Sequence, residues 1–148
     1  MTGLFLEIAE LMPIKSYLRY TMTRAPESST PLSLDFFMPA EWEPHSDTWL
    51  AWPHNLDTWS KDDLHKVEDI YVEIIRNLID GERINILIND EHYKYKIITL
   101  LHREKINFDP IRFHKIPTDD VWIRDFGPNF LARETLTGRQ IALNRWRF

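Results

Sequence analysis

The segment from Ser60 to Gly81 constrains the fold more than any other part of the chain. Leu64, Val67, Tyr71, Ile74, Ile75 and Leu78 recur at the spacing of one helix face. Ser60 offers a hydroxyl to cap that helix, Asp62 and Asp63 sit favourably at its positive end, and Gly81 stands where it should stop. Strand-like runs lie on either side. Thr48 to Trp52 is ended by Pro53, which has no amide hydrogen to continue a ladder. Arg83 to Ile88 puts Ile84, Ile86 and Ile88 on one face and Leu87 on the other. A second helix, Glu91 to Arg103, turns Ile97, Ile98 and Leu101 inward, and a turn over Asn107 to Pro110 leads to a strand from Ile111 to Ile116. This alternation predicts the α/β class. Beyond Pro128, the segments Asn129 to Arg133 and Gln140 to Asn144 read as a hairpin around Thr137-Gly138.

The last strand delivers the densest group of functional side chains. Between Pro117 and Phe130 the chain reads PTDDVWIRDFGPNF, with Asp119, Asp120, Trp122, Arg124 and Asp125 ahead of a Gly127-Pro128 turn. In open α/β architecture ligands gather at the carboxyl ends of strands. Carboxylates there can take a guanidinium through two parallel hydrogen bonds, and an indole can lie against its face or its aliphatic stem. Trp122 and Asp125 are three apart, so strict strand alternation would send them to opposite faces. They share a pocket only if the backbone turns or bulges, as Gly127-Pro128 allows.

The run Val121 to Pro128 resembles the signature of the agmatine deiminase family, relatives of the bacterial peptidylarginine deiminases in the guanidine-modifying superfamily. A second block agrees: MPAEWEPH at 38–45 and TWLAWPHN at 48–55 resemble the family's N-terminal strand and the loop after it. The likeness runs from Phe37 to Phe148 and covers less than half of the family's domain. It implies an incomplete pentein-type α/β propeller, about two ββαβ units of a five-unit ring. Asn144 to Phe148 resembles a segment that in the family runs on into the next part of the ring. By the same resemblance Asp125 is the catalytic carboxylate that grips the guanidinium nitrogens, and Trp122 lines the channel beside the substrate's methylene stem. The implied reaction hydrolyses agmatine to N-carbamoylputrescine and ammonia, a step of putrescine biosynthesis, without a cofactor or metal. Free arginine or peptidylarginine is the alternative substrate.

Hydrolysis of a resonance-stabilised guanidinium needs its plane fixed, its charge held, a strong nucleophile at carbon and a proton donor for the leaving amine. The signature stretch can supply the first two. The chain has no cysteine, whereas the family attacks with a cysteine and uses a histidine base, to which none of the six histidines here corresponds. The alternative class is therefore non-catalytic: a truncated or split chain that binds its missing half. Absent cysteine also excludes disulfides and thiolate zinc sites and fits a reducing, cytoplasmic setting. A net charge of −5, with basic residues dispersed among acidic ones, argues against nucleic-acid or anionic-membrane partners and suits a small cationic guanidine. A homo-oligomer is a further expectation from the family.

The remaining residues have plainer readings. Arg124 suits a structural ion pair, and Asp119 and Asp120 suit turns and caps. Trp42, Trp49, Trp52 and Trp59 suit packing, although Glu41 and Trp42 could approach a pocket mouth. His45 and His54 lack metal-ligand spacing, and His65 beside Glu68 and Asp69 reads as a wet helix face. Four glycines, Gly3, Gly81, Gly127 and Gly138, make neither a P-loop nor a dinucleotide fingerprint. The propeller portion should span 36–148. Residues 1–35 form an extension expected to be disordered or, since apolar positions 4, 5, 8, 11 and 12 fit it, a short helix before a Ser/Thr/Pro-rich linker.

Overall fold

The computed structural model describes residues 5–14, 17–26 and 29–145; Leu4 and the terminal Trp146 to Phe148 lie outside them. The chain divides into two compact units, one of residues 44–123 and one of the flanking segments 1–43 and 124–148.

The central unit is a three-stranded parallel sheet with its crossover helices. Strands β3 (Asp47–Ala51), β4 (Arg83–Ile88) and β5 (Ile111–Lys115) pair in that order, and helices α1 (Lys61–Leu78) and α2 (Glu91–Arg103) make the two connections. Ile84, Ile86 and Ile88 of β4 pack with Val72 and Ile75 of α1 and with Ile97 and Leu101 of α2. The predicted stripe of α1 is rotated slightly: Val72 is buried and Ile74 is exposed, the buried positions being Leu64, Glu68, Val72 and Ile75. Asn85 and Leu87, on the other face of β4, are buried too. The Asn85 Oδ1 accepts from His114 Nε2 at 2.8 Å, and the His114 ring stacks on Trp49 at 4.8 Å.

The helix ends follow local chemistry. Ser60 Oγ accepts from the Asp63 amide, as its N-cap position requires. Gly81 lies beyond the end of α1 and does not adopt a positive φ. Helix α2 ends in a Schellman motif, with Ile106 N donating to Leu101 O at 2.9 Å and Lys105 N to His102 O at 3.0 Å. Its left-handed residue is Lys105, φ 57°, where glycine is the favoured occupant. Ile106 and Leu101 both enter the core, and this contact anchors the motif.

The flanking unit is a four-stranded antiparallel sheet. Its strands are β1 (Phe5–Ile14), β2 (Tyr17–Arg24), β6 (Asn129–Thr135) and β7 (Gly138–Arg145), in the order β2-β1-β7-β6. The hairpin expected around Thr137-Gly138 is present, with Thr135 paired to Gly138 and Gly138 at φ 120°. The short helix expected in the N-terminal extension is not: residues 5–14 form β1, paired with β7, and residues 17–24, partly assigned to the linker, form β2. A sheet edge with free N–H and C=O groups favours an added strand over a weak local helical periodicity. Phe36, Ala25, Leu131 and Ala142 form a small core. The Arg133 guanidinium lies 4.7 Å over the Phe36 ring and donates to Leu34 O and Gln140 Oε1. Among the described residues no helix is long and apolar enough to cross a membrane.

Two outcomes test these assignments. Lys105→Gly removes left-handed strain and is expected to raise stability by up to ~1 kcal/mol in urea unfolding, with no change in fold. The Ser46 hydroxyl at 2.7 Å and the Arg83 guanidinium, whose Nε lies 2.7 Å from Asp47 Oδ1, hold the Asp47 carboxyl below its ordinary value against an opposing effect of burial. Its stabilisation is therefore present above the unfolded carboxylate range near pH ~4 and is lost as pH falls through the lower folded value. Asp47→Asn is expected to flatten the acid limb of the stability profile.

Candidate functional site

Parallel strands leave all three carboxyl ends on one edge, so the loops after β3, β4 and β5 meet. They bring His54 and Asn55, Asn89, and Thr118 and Asp119 around a polar recess of about 440 Å³ that is open to solvent. Asn55 Nδ2 donates to Asp119 O at 2.9 Å, and its Oδ1 takes the Asp57 amide at 2.9 Å. Asn89 Nδ2 donates to Thr118 O at 3.0 Å, and Asn89 Oδ1 accepts from Thr118 N at 3.0 Å. Asp120 fixes the next step, accepting from Thr58 Oγ1 at 2.9 Å and from the Val121 amide at 2.7 Å. The stretch leading to Trp122 is thus tied to the other two loops mainly by neutral side chains.

Trp122 lies next to the end of the central unit and is 57% exposed. The chain then enters a single helical turn, α3 (Ile123–Phe126), which carries Asp125 in the flanking unit. Strand alternation therefore does not govern the Trp122–Asp125 spacing. Asp125 is exposed, and no described residue engages its carboxylate by hydrogen bond or ion pair. Arg124 pairs instead with Glu41 at 2.8 Å, a solvated surface bridge. Trp42 is 88% exposed and Trp49 is partly exposed, so of the tryptophans expected to pack, Trp52 is the one fully in the core.

The central unit also holds a buried polar group that helical spacing did not reveal. Glu68 is 2% exposed and accepts from Trp52 Nε1 at 3.2 Å, and Lys96 Nζ lies 2.6 Å from it. His65 reaches its other oxygen at 3.4 Å; His65 and Asp69 lie on the wet helix face expected of them, and Glu68 alone departs from it. Burial, followed by the charges of Asp90 and Glu68, pushes the Tyr93 phenol above its ordinary value, and burial and Asp120 do the same to Tyr71. Among the described residues no group of three or more His, Cys, Asp or Glu is placed to hold a metal. Sequence reasoning passed over Asn89 and weighed His54 only as a metal ligand; their signal was position, Asn89 directly after β4 and His54 three residues after β3, at the same sheet edge.

The family model for the Porphyromonas-type peptidyl-arginine deiminase matches residues 37–148, including both tryptophan-rich blocks. The chain belongs to that family. Agmatine deiminases of Ectopseudomonas mendocina and Stutzerimonas stutzeri are each 31% identical to it over 121 residues, covering 80% of this chain and 31% of theirs. The chain therefore spans about a third of the length of these curated relatives. An X-ray structure of a chain assigned as an agmatine deiminase superposes with a TM-score of 0.62 at 24% identity, covering 73% of this chain and 29% of that one. The C. jejuni agmatine deiminase gives 0.51 at 21% identity, covering 65% and 27%. These structural likenesses support an α/β fold shared with the deiminases.

The buried carboxylate gives this family member a testable weak point. Glu68→Ala leaves Trp52 Nε1 without a partner, while Lys96, about a third exposed, can turn to water. A loss of about 1–3 kcal/mol is expected in urea unfolding.

Proposed function

We propose that this chain supplies the guanidinium-holding part of an agmatine deiminase-type hydrolase, whose reaction converts agmatine and water to N-carbamoylputrescine and ammonia. The observation that carries this reading is the family match across 37–148, which includes the signature at Val121 to Pro128, together with the identity to agmatine deiminases. In this reading Asp125 grips the guanidinium nitrogens and Trp122 lies along the methylene stem. Support comes from Arg124 being occupied by Glu41 while the Asp125 carboxylate is engaged by no described residue. A carboxylate with free lone pairs suits bidentate recognition of a planar cation. We read the architecture as about two ββαβ units of a pentein-type ring.

Peptidylarginine is the second reading, favoured by the description of the matching family. The two substrates share the guanidinium end, so Asp125 and Trp122 keep their roles in either. The substrate's far end decides between them.

Bond cleavage is a separate matter. The family's chemistry needs a thiolate at the guanidinium carbon, and this chain contains no cysteine. The 148-residue polypeptide is therefore expected to bind agmatine without hydrolysing it, and to form a working site only together with a segment that contributes a cysteine and the base histidine. Purified polypeptide should release no ammonia from agmatine; turnover would overturn the assignment of roles. Asp125→Asn should weaken agmatine binding, followed by NMR at millimolar ligand, by about tenfold or more, the scale of one charge-assisted hydrogen bond. Unchanged binding would remove Asp125 from the site. Trp122→Ala should weaken agmatine and a guanidine lacking the methylene stem unequally.

A further inference from the structure

The hydrogen bonds around Asn89 have only one self-consistent polarity. Its carboxamide pairs with both backbone groups of Thr118, donating from Nδ2 to the carbonyl at 3.0 Å and accepting at Oδ1 from the amide at 3.0 Å and from Oγ1 at 3.4 Å. A backbone N–H only donates and a backbone C=O only accepts, so the carboxamide cannot be turned over. The last main-chain bond of the β4–β5 ladder region runs from Ile116 N to Ile88 O at 3.1 Å. Asn89, the first residue after β4, continues the pairing with its side chain where the backbone has stopped.

The same polarity fixes His54. Its Nδ1 lies 3.1 Å from Trp52 O and must carry the proton, and its Nε2 lies 2.8 Å from Asn89 Nδ2 and must present a lone pair. The imidazole is therefore neutral in the observed arrangement. Protonation would set an N–H against the Asn89 NH2, and reversing the carboxamide to relieve this would set that NH2 against the Thr118 N–H. Either the His54–Asn89 bond or the Asn89–Thr118 pair has to open.

We infer that Asn89 is a positioning residue that latches the loop leading to Trp122 through Thr118, and that neutral His54 completes this latch and makes it open in acid. The inference rests on the proposed function only in naming what the loop carries; the latch itself does not need agmatine to bind. The other titratable groups around His54 are Asp57 and Asp119, which line the same recess, and Tyr93 of α2, whose ring meets the imidazole edge-on at 6.1 Å.

The test is NMR on the full 148-residue chain, following the His54 ring, the Asn89 side-chain NH2 and the Thr118 amide from about pH 8 to 5, the range in which imidazoles titrate. The Asn89 and Thr118 signals are expected to move together with the His54 ring, and the protection of the Thr118 amide to fall about tenfold, the scale of one hydrogen bond. Titration of His54 with both signals stationary would overturn the inference. In His54→Phe the acid shift of Thr118 should vanish; its persistence would overturn the role of His54 and assign the effect to the carboxylates. Asn89→Asp keeps the acceptor for the Thr118 amide but gains an acceptor for protonated His54, so the direction should reverse, with Thr118 better protected in acid. An unreversed dependence would also overturn it. Agmatine affinity measured on the same samples separates the two readings, since a latch with no ligand binding would defeat the proposed function and leave the latch standing.

Discussion

Strand β4 has no solvent-facing side over its last five residues, and the central unit is organised by that fact. Ile84, Ile86 and Ile88 are covered by two helices, and Asn85 and Leu87 are buried on the opposite face. A strand buried on both faces can only be a middle strand, with its backbone groups satisfied on both edges. Parallel pairing to β3 and β5 does this, and parallel pairing forces each connection to cross over through a helix. The crossover in turn places all three strand ends on one edge. The recess is a consequence of how the core is buried.

That edge sets a problem that the loops solve with amides. The ladder stops, yet the segment beyond β5 must be held still if it is to present a recognition surface. Asn55 and Asn89 take over, each carrying both a donor and an acceptor on a short side chain that can imitate a peptide group. Asp120 is used differently, its two oxygens consumed by Thr58 and the Val121 amide.

Much of this order could be read from the residues. Helix α1, the second helix, the strands and the final hairpin were visible because each stands on a local pattern, whether an apolar stripe, a capping serine or a glycine at a turn. What escaped depends on partners distant in sequence. Strand β1 exists where the chain meets the edge of β7, more than a hundred residues away, and β2 pairs in turn with β1, so the apparent helical spacing of the extension carried no weight. Glu68 looked like a surface charge because its neighbours are polar; it is buried because Trp52 and Lys96 approach it from other elements. Lys105 hid a left-handed position because the Schellman bonds around it, and not its own preference, impose the conformation. Asn89 matches no motif, His54 lies in the 48–55 block without a role of its own there, and their relation to Thr118 appears only when three strands end together.

If Asp125 recognises a guanidinium as proposed, the pairing of Arg124 with Glu41 bears on that recognition. A carboxylate already paired with an arginine has its lone pairs occupied and its charge cancelled, and a second guanidinium would have to displace the first at a cost comparable to what it gains. Here the arginine adjacent to Asp125 is drawn off by Glu41, and the preceding loop is fixed through backbone carbonyls, amides and one aspartate whose bonds are all to neutral donors. The loop that leads to Trp122 is therefore held without an internal cation. On the proposed reading, a carboxylate left without an internal cation stays available to an external one.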